Sequence, residues 1–486
     1  MRSLSSAGSL SKECDAFLRI ADGYFVHKDY QTAVEYYNKA IELLPDSLSE
    51  MGYKLTDMDY ALFQNGLAYG VMGNQDIKVK VLHKMLEAYP NSTYTDDAKY
   101  ELAKSYTLLH IPDSSILWYR DIVEEHPNSS YVPKSMLNMG LEYYNKNENE
   151  IALVTFKRVI MDYPATAEAN EALVGIKNVY VDMGDVESYA DYVGGLSFAN
   201  ITRASLDSTT YEAAELYYMR GDCEKAIKDF AKYLEKFEDG YFTLNANFYN
   251  SECLVKRNDS SASMEAIAGY NFVIANRKNT FTEKALLRAA GIYYQYMNYP
   301  KAIDAYQALE KIAEYKNHII EARIGLMRSY FLLKDYQSAM ASAVIVLATE
   351  KLANDVESEA HFIIAKSGLE TDYYNLALKE FGITQQKTRS EMGAAALYYA
   401  AYIQYLRSEH DSSEKLIFQL AQRKPSYDYW ITKGFILLAD NYLQIGNLFQ
   451  ARATLQSVID NSENTELAIT AKEKLDKIKE TETDAK

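Results

Sequence analysis

Apolar residues recur along this chain in pairs of helical stripes, each pair divided by a short polar turn, and the whole arrangement then repeats. In residues 140–164, GLEYYNKNENEIALVTFKRVIMDYP, one stripe ends at the doublet Tyr143-Tyr144, NKNEN forms the turn, and a second stripe runs on to Pro164. MGNQD and IPDSS occupy the corresponding places in the two preceding units. The second stripes end in AYPNS, EHPNS and DYPAT, whose prolines Pro90, Pro127 and Pro164 lie 37 residues apart. Comparable turns follow at Gly184-Asp185, Gly221-Asp222, Asp259, Asn298, Asp335, Asp372, Asp411 and Gly446-Asn447. The pattern predicts an all-α chain of about twelve helix-turn-helix units.

The physical logic of one unit is readable from its residue types. A small residue (Ala21, Gly66, Ala103, Gly140) lets the two helices approach, and an aromatic residue fills the wedge where the next unit stacks. The proline lacks an N–H and disfavours helix in the residue before it, so it sets the length of the second helix. Each pair alone exposes an apolar face, which stacking buries.

These residues resemble the tetratricopeptide repeat family over nearly the whole chain. In the first unit Phe17, Ile20, Ala21 and Tyr24 match the first helix of the family pattern, and Ala33, Tyr37, Ala40 and Pro45 match the second helix and its terminating proline. The second unit offers Leu62, Gly66, Tyr69, Leu82 and Pro90, the third Leu102, Ala103, Tyr106, Tyr119 and Pro127, and the fourth Met136, Met139, Gly140, Tyr143, Phe156 and Pro164. The resemblance implies a right-handed α-solenoid, a superhelix whose concave groove binds other proteins. The YPxS/T-type ends at intervals of 37 are similar to those of bacterial cell-envelope members, the outer-membrane assembly lipoprotein and Tol-Pal coordinator types, and imply an adaptor in the periplasm or cell envelope.

Helix starts are expected at capping-box spacings: Ser47 to Glu50, Thr209 to Glu212, Thr280 to Glu283, Asn354 to Glu357 and Thr388 to Glu391. The last helix carries Leu467, Ala471, Leu475 and Ile478 on one face and charge on the rest, as the end of an array requires. The segment 189–207, with Gly194-Gly195 and no clear stripe, reads as an irregular hinge, and the polar stretch 255–264 as a second irregular point. The expected organisation is a flexible start (1–12), an N-terminal array (13–188), the hinge (189–207), a C-terminal array (208–466) and a capping helix with tail (467–486). The abrupt Ser-rich opening suggests an upstream segment.

Adjacent residues of a helix point about 100° apart, so a tyrosine doublet cannot place both rings in one interface. Aligning the units puts Tyr143, Tyr217 and Tyr293 at the wedge and turns Tyr144, Tyr218 and Tyr294 toward the inner wall. Two readings stand: these second rings merely cover neighbouring helices, or, with Tyr100, Phe331 and Tyr399, they line a groove for an extended or helical segment of another protein. Lys104, Lys134 and Arg328 fall on the same side, where they are placed to meet carboxylates.

Composition removes several alternatives. A chain of 486 residues exceeds the roughly 250–300 at which one core stops growing. The 43 Tyr against 17 Phe and 2 Trp favour rings whose hydroxyl reaches a polar partner. A formal charge of −17, with no basic run, argues against nucleic acid and reads as a solvated acidic surface. Cys14, Cys223 and Cys253 lie far apart without CxxC spacing and read as buried single thiols. The seven histidines show no metal-ligand spacing, and no phosphate-binding loop, dinucleotide fingerprint, nucleophile elbow or zinc-protease motif occurs. No run of 18 apolar residues suggests a membrane span. The reading is therefore a non-enzymatic scaffold for other proteins, with no cofactor, metal, small-molecule substrate, nucleic acid or direct membrane insertion. The alternatives are a glycan-capturing surface lipoprotein with such helices, which 2 Trp and few loops disfavour, and a spacer fragment of a longer repeat protein.

Overall fold

The computed structural model describes residues 2–43, 57–164, 166–199 and 201–484. Pro45 and the first capping-box candidate, Ser47 to Glu50, lie outside the described residues. Among those described, 25 helices and no strands occur. They divide into two compact units, Met1–Thr243 and Leu244–Lys486. The segment 189–207 thus lies within the first unit.

In the first unit the pairs are α1 (Arg2–Val26) with α2 (Tyr30–Ile41), α3 (Met58–Val71) with α4 (Gln75–Ala88), and α5 (Thr95–Leu108) with α6 (Pro112–Glu125). Then come α7 (Val132–Asn145) with α8 (Asn149–Asp162), α9 (Ala167–Met183) with α10 (Val186–Gly194), and α11 (Arg203–Met219) with α12 (Cys223–Lys236). The second unit repeats the plan: α13 (Thr243–Lys256) with α14 (Ser260–Ala275), α15 (Thr282–Gln295) with α16 (Tyr299–Ile312), and α17 (Lys316–Leu332) with α18 (Tyr336–Leu347). It closes with α19 (Asn354–Glu370) and α20 (Tyr374–Lys387), α21 (Glu391–Leu406) and α22 (His410–Gln422), α23 (Asp428–Gln444) and α24 (Leu448–Asn461), and the single helix α25 (Thr465–Asp484).

A left-handed residue followed at once by the N-cap of the second helix forms the turn of every pair: Lys28, Gly73, His110, Asn147, Gly184, Gly221, Asn258, Met297, Lys334, Asp372, Ser408 and Gly446. From Gly73 to Asn258 these positions are 37 residues apart without exception. The backbone therefore carries the repeat more faithfully than the side chains do, since only four of the twelve are glycine. Asp29, Asp185, Asp222, Asp259, Asn298, Asp335 and Asn447 then accept a backbone N–H from three residues on, which satisfies one of the helix's free donors.

Several expectations change here. The stretch 255–264 keeps a left-handed residue in register at Asn258 but is irregular beyond it: Asp259 is extended (φ −117°, ψ 155°), and the core position of α14 falls at Tyr270, three residues later than Phe230 and the 37-residue step require. The turn expected at Asp411 lies at Ser408–Glu409, and Asp411 belongs to the first turn of α22. Thr209 to Glu212 lies inside α11, whose N-cap is Thr202, and α15, α19 and α21 begin without a side-chain cap bond. Side-chain capping instead concentrates on the second helices, because their tight turn fixes an Asp or Asn at the N-cap.

The prolines act as expected: α4, α6 and α8 end at Ala88, Glu125 and Asp162, two residues before Pro90, Pro127 and Pro164. The serine of the same motif has a further task. Ser92 donates to Asp59 (2.6 Å) and Ser129 to Asp96 (2.5 Å), each in the first turn of the first helix of the pair that the serine closes. The link to the next pair is thereby pinned by a charge-assisted hydrogen bond.

One second-helix position forms the centre of the core. In the first unit it is Tyr37, Leu82, Tyr119, Phe156, Val193 and Phe230, all buried. In the second it is Tyr270, Tyr306, Ala343, Phe381, Ile417 and Leu455. Close approach is needed around it. A Cβ on Gly140 would stand 2.5 Å from the Phe156 ring, and one on Gly175, in the next first helix, 2.7 Å from the same ring. The aromatic residue is thus held by two first helices at once. At the chain's end Ala471, Leu475 and Ile478 of α25 are buried, as its apolar face predicts.

Cys14 is a buried free thiol. Cys223 and Cys253 are disulfide-bonded, which corrects the reading of three single thiols; spacing along a chain reports only local frameworks such as CxxC.

Candidate functional site

Within each unit, first helices touch successive first helices, as α7 does α9 and α9 does α11, or α21 does α23; no successive second helices pack to a comparable degree. The first helices therefore form walls of adjoining helices, α7–α9–α11 in the first unit and α15 to α25 in the second. All nine residues expected at a binding surface belong to first helices: Tyr100 and Lys104 on α5, Lys134 on α7, Tyr144 on α7, Tyr218 on α11, Tyr294 on α15, Arg328 and Phe331 on α17, and Tyr399 on α21. Lys134 is exposed, and the six aromatic residues are partly buried.

Most of these side chains already have partners in their own unit. Tyr100 stacks on Tyr131 with ring centroids 4.4 Å apart, and Lys104 pairs with Glu101 at 2.7 Å. Glu101 also accepts from Lys78, a lysine buried at a position where most units place Ala or Ser. Burial pulls the Lys78 ammonium below its ordinary value. Burial works the other way on Glu101, yet Lys104 and Lys78 together bring its carboxyl below the usual range.

The doublets divide their work between two neighbours. Tyr143 accepts from Arg120 of α6 (3.2 Å), on the preceding pair, while the Tyr144 hydroxyl donates to Asp182 of α9 (2.9 Å), on the following one. Asp182 also accepts from Arg220 (3.1 Å). Burial, and then the hydrogen bond to Asp182, push the Tyr144 hydroxyl up to about 12. Tyr293 likewise accepts from Asn271 of α14 (3.2 Å). Tyr294 packs edge-on to Tyr299 (5.8 Å) and has Arg328 of the next first helix nearby.

Arg328 is engaged in two parallel bonds to Glu359, at 2.8 and 2.6 Å, so an internal carboxylate occupies the fork expected to face a ligand. Phe331 stands edge-on to Tyr336 (6.3 Å). Tyr399 stacks on Phe381 of α20 (5.7 Å, 17°) and lies under Lys366 (4.0 Å). Its partner in the doublet, Tyr398, turns toward α23.

That last position was missed in the sequence. Tyr398, Tyr402 and Tyr405 form a stacked ladder along one face of α21. With Lys433, Ile436, Asp440 and Leu467 they line a cavity of about 220 Å³. Lys433 stands 5.0 Å from the Tyr398 ring, 5.6 Å from Tyr429 and 5.4 Å from Trp430. The signal was present as tyrosines at i, i+4 and i+7, but attention to YY doublets selected Tyr399 instead.

Among the described residues no group of three His, Cys, Asp or Glu side chains is placed to hold a metal ion, and no helix is long and apolar enough to cross a membrane.

The tetratricopeptide repeat family profile matches residues 15–47 and 210–239. No curated protein matches the chain. Similar solved structures include yeast Tom70, 14% identical over 97% of this chain and 96% of that one, with a TM-score of 0.32. Another is a tetratricopeptide repeat protein from Parabacteroides merdae, 14% identical over 56% of this chain and 98% of that one, TM-score 0.32. A third is the APC/C hetero-tetramer Cut9–Hcn1, 11% identical over 96% of each chain, TM-score 0.32. At these scores the fold is read from the helix pairing itself.

Proposed function

We propose that this chain, a helical-repeat scaffold carrying tetratricopeptide repeats at residues 15–47 and 210–239, uses its first-helix walls to bind an extended or helical segment of another protein. The observation that carries the reading is the Tyr398–Tyr402–Tyr405 ladder beside Lys433, where rings, hydroxyls and a cation share one cavity. Such surfaces give large contact area at low rotamer cost. Lys134, exposed on the first unit's wall, and the partly exposed Tyr218 and Tyr294 extend the same chemistry along each unit. Tyr100, Lys104, Tyr144, Arg328, Phe331 and Tyr399 then act chiefly by holding that wall rigid.

The test is capture from the native cell by wild-type chain and by a Tyr402→Ala/Lys433→Ala variant. Loss of a partner at a melting temperature within about 3 °C of wild type supports the reading; an unchanged set of captured proteins refutes it. The finer reading, an adaptor in a bacterial envelope complex, rests on the 37-residue YPxS/T-ended repeats alone. Recovery with the cytoplasmic fraction of the native cell ends that finer reading and leaves the scaffold reading in place.

A further inference from the structure

The second unit carries a larger groove, about 710 Å³, on the far side of α23 from the wall. Asp428, Ile431, Phe435, Leu438 and Tyr442 line it, whereas Lys433, Ile436, Leu437 and Asp440 line the wall cavity. At 100° per residue these two sets point roughly 170° apart. Phe418 of α22 and Phe449 and Ala453 of α24 complete the groove. Phe449 is 76% exposed and Phe418 43%, while Leu438 and Tyr442 form a buried floor.

Charge in the groove is confined to one end. Asp428 begins α23 and Glu463 follows α24, and because these helices run antiparallel both carboxylates come to the same end; no lysine or arginine lines the groove. The opposed dipoles of α23 and α24 cancel at this end, so the two carboxylates set its charge. The walls are helix faces and offer no strand edge, so an occupant must satisfy its own backbone hydrogen bonds, which an α-helix does. From Phe449 to Asn461 the groove runs for roughly 18 Å, about the length of twelve helical residues.

We propose that this groove docks a short amphipathic helix of another protein, with an apolar stripe against Phe418, Phe435 and Phe449 and Lys or Arg at the end that meets Asp428 and Glu463. A second copy of this chain is disfavoured, since both copies would carry a formal charge of −17. The site is independent of the first-helix wall.

The probe is a fluorescein-labelled 14-residue helical peptide with leucines on one face, glutamine and serine on the other and two arginines at one end, titrated into the full chain by anisotropy. A twin carries glutamates in place of the arginines. Binding of the arginine peptide at least tenfold tighter than its twin is expected. Phe449→Asp and Phe418→Asp should each weaken it at least tenfold, and Asp428→Asn with Glu463→Gln should bring the two peptides within about threefold of each other. The proposal is overturned if both Phe variants bind within twofold of wild type, if Tyr402→Ala on the wall abolishes binding instead, or if sedimentation shows a dimer that Phe449→Asp dissociates.

Discussion

Gly140→Ala and Gly23→Ala are the same substitution in the same unit, and the packing predicts opposite signs. A helical glycine replaced by alanine gains up to about 1 kcal/mol of propensity, less near a helix end. At Gly23 a new Cβ meets nothing within 4 Å, so roughly 0.5 kcal/mol of stabilisation is expected. At Gly140 the Cβ would lie 2.5, 2.6 and 3.0 Å from three atoms of Phe156. That ring has no easy retreat, because the backbone at Gly175 closes its other side, so near that a Cβ there would stand 2.7 Å from it. Overpacking of this kind costs roughly 1–3 kcal/mol, which outweighs the propensity gain and leaves a net loss of about 1 kcal/mol. Phe156→Leu placed on Gly140→Ala should recover part of it, so that the two changes together cost less than the sum of each alone. Urea titration followed by Trp118 fluorescence, in a Trp430→Phe background, reports the first unit, since the chain has 2 Trp and one lies in each unit. If Gly140→Ala is as stable as wild type, or moves with Gly23→Ala, the tight-clamp account of the repeat is wrong.

Three further outcomes are expected. Lys334→Gly relieves a left-handed turn residue (φ 64) and should raise the urea midpoint of the second unit, by roughly 0.5–1 kcal/mol; a lower midpoint contradicts the turn assignment. Glu101→Gln strands the buried Lys78 ammonium and should cost about 3 kcal/mol, whereas Lys78→Met, which leaves Glu101 its bond to Lys104, should cost clearly less; the reverse order in urea titrations would disprove the assigned network. Burial, and then hydrogen bonds to Asp182 and to Glu414 (2.6 Å), push the hydroxyls of Tyr144 and Tyr442 up to about 12, from an ordinary value of about 10. A raised value means that the neutral, donating form is favoured in the fold, so this stability is whole below pH 10 or so and is lost as pH rises through about 12. Tyr144→Phe with Tyr442→Phe should flatten the fall in urea midpoint across that window; an unaltered slope would exclude these hydrogen bonds as its source.

The repeat was legible because its signals are local. Prolines at intervals of 37 and two apolar stripes per interval require only helical geometry to interpret, and the helix ends at Ala88, Glu125 and Asp162 follow from them. Legibility failed where different side chains serve one backbone need. Lys28, Met297 and Ser408 fill the same left-handed position as Gly73, so Gly, Asn and Asp do not mark every turn, and the one expected at Asp411 lies three residues earlier, at Ser408. In the same way Val193 and Ala343 stand where other units place Tyr or Phe, and the register passes through them unannounced by any aromatic residue.

The wall was half legible, for a reason that also bears on the acidity. Sequence periodicity places a ring on a helix but says nothing about which carboxylate on a neighbouring helix meets its hydroxyl. The structure pairs Tyr37 and Tyr60 with Asp22, Tyr131 with Asp97, Tyr144 with Asp182, Tyr233 with Asp207 and Tyr270 with Glu252, each between different helices. A phenol in such a place buries its ring in the core and offers the one donor that a half-buried carboxylate needs; phenylalanine would leave that acceptor unsatisfied, at a cost of about 1–3 kcal/mol. Part of the charge of −17 is therefore internal, serving as acceptors within and between repeats and not as a solvated coat. The abundance of tyrosine then follows from the stacking itself. Under the binding role proposed above, recognition falls to tyrosines whose hydroxyl is not claimed in this way by a carboxylate of another helix, which weights the ladder beside Lys433 above Tyr144.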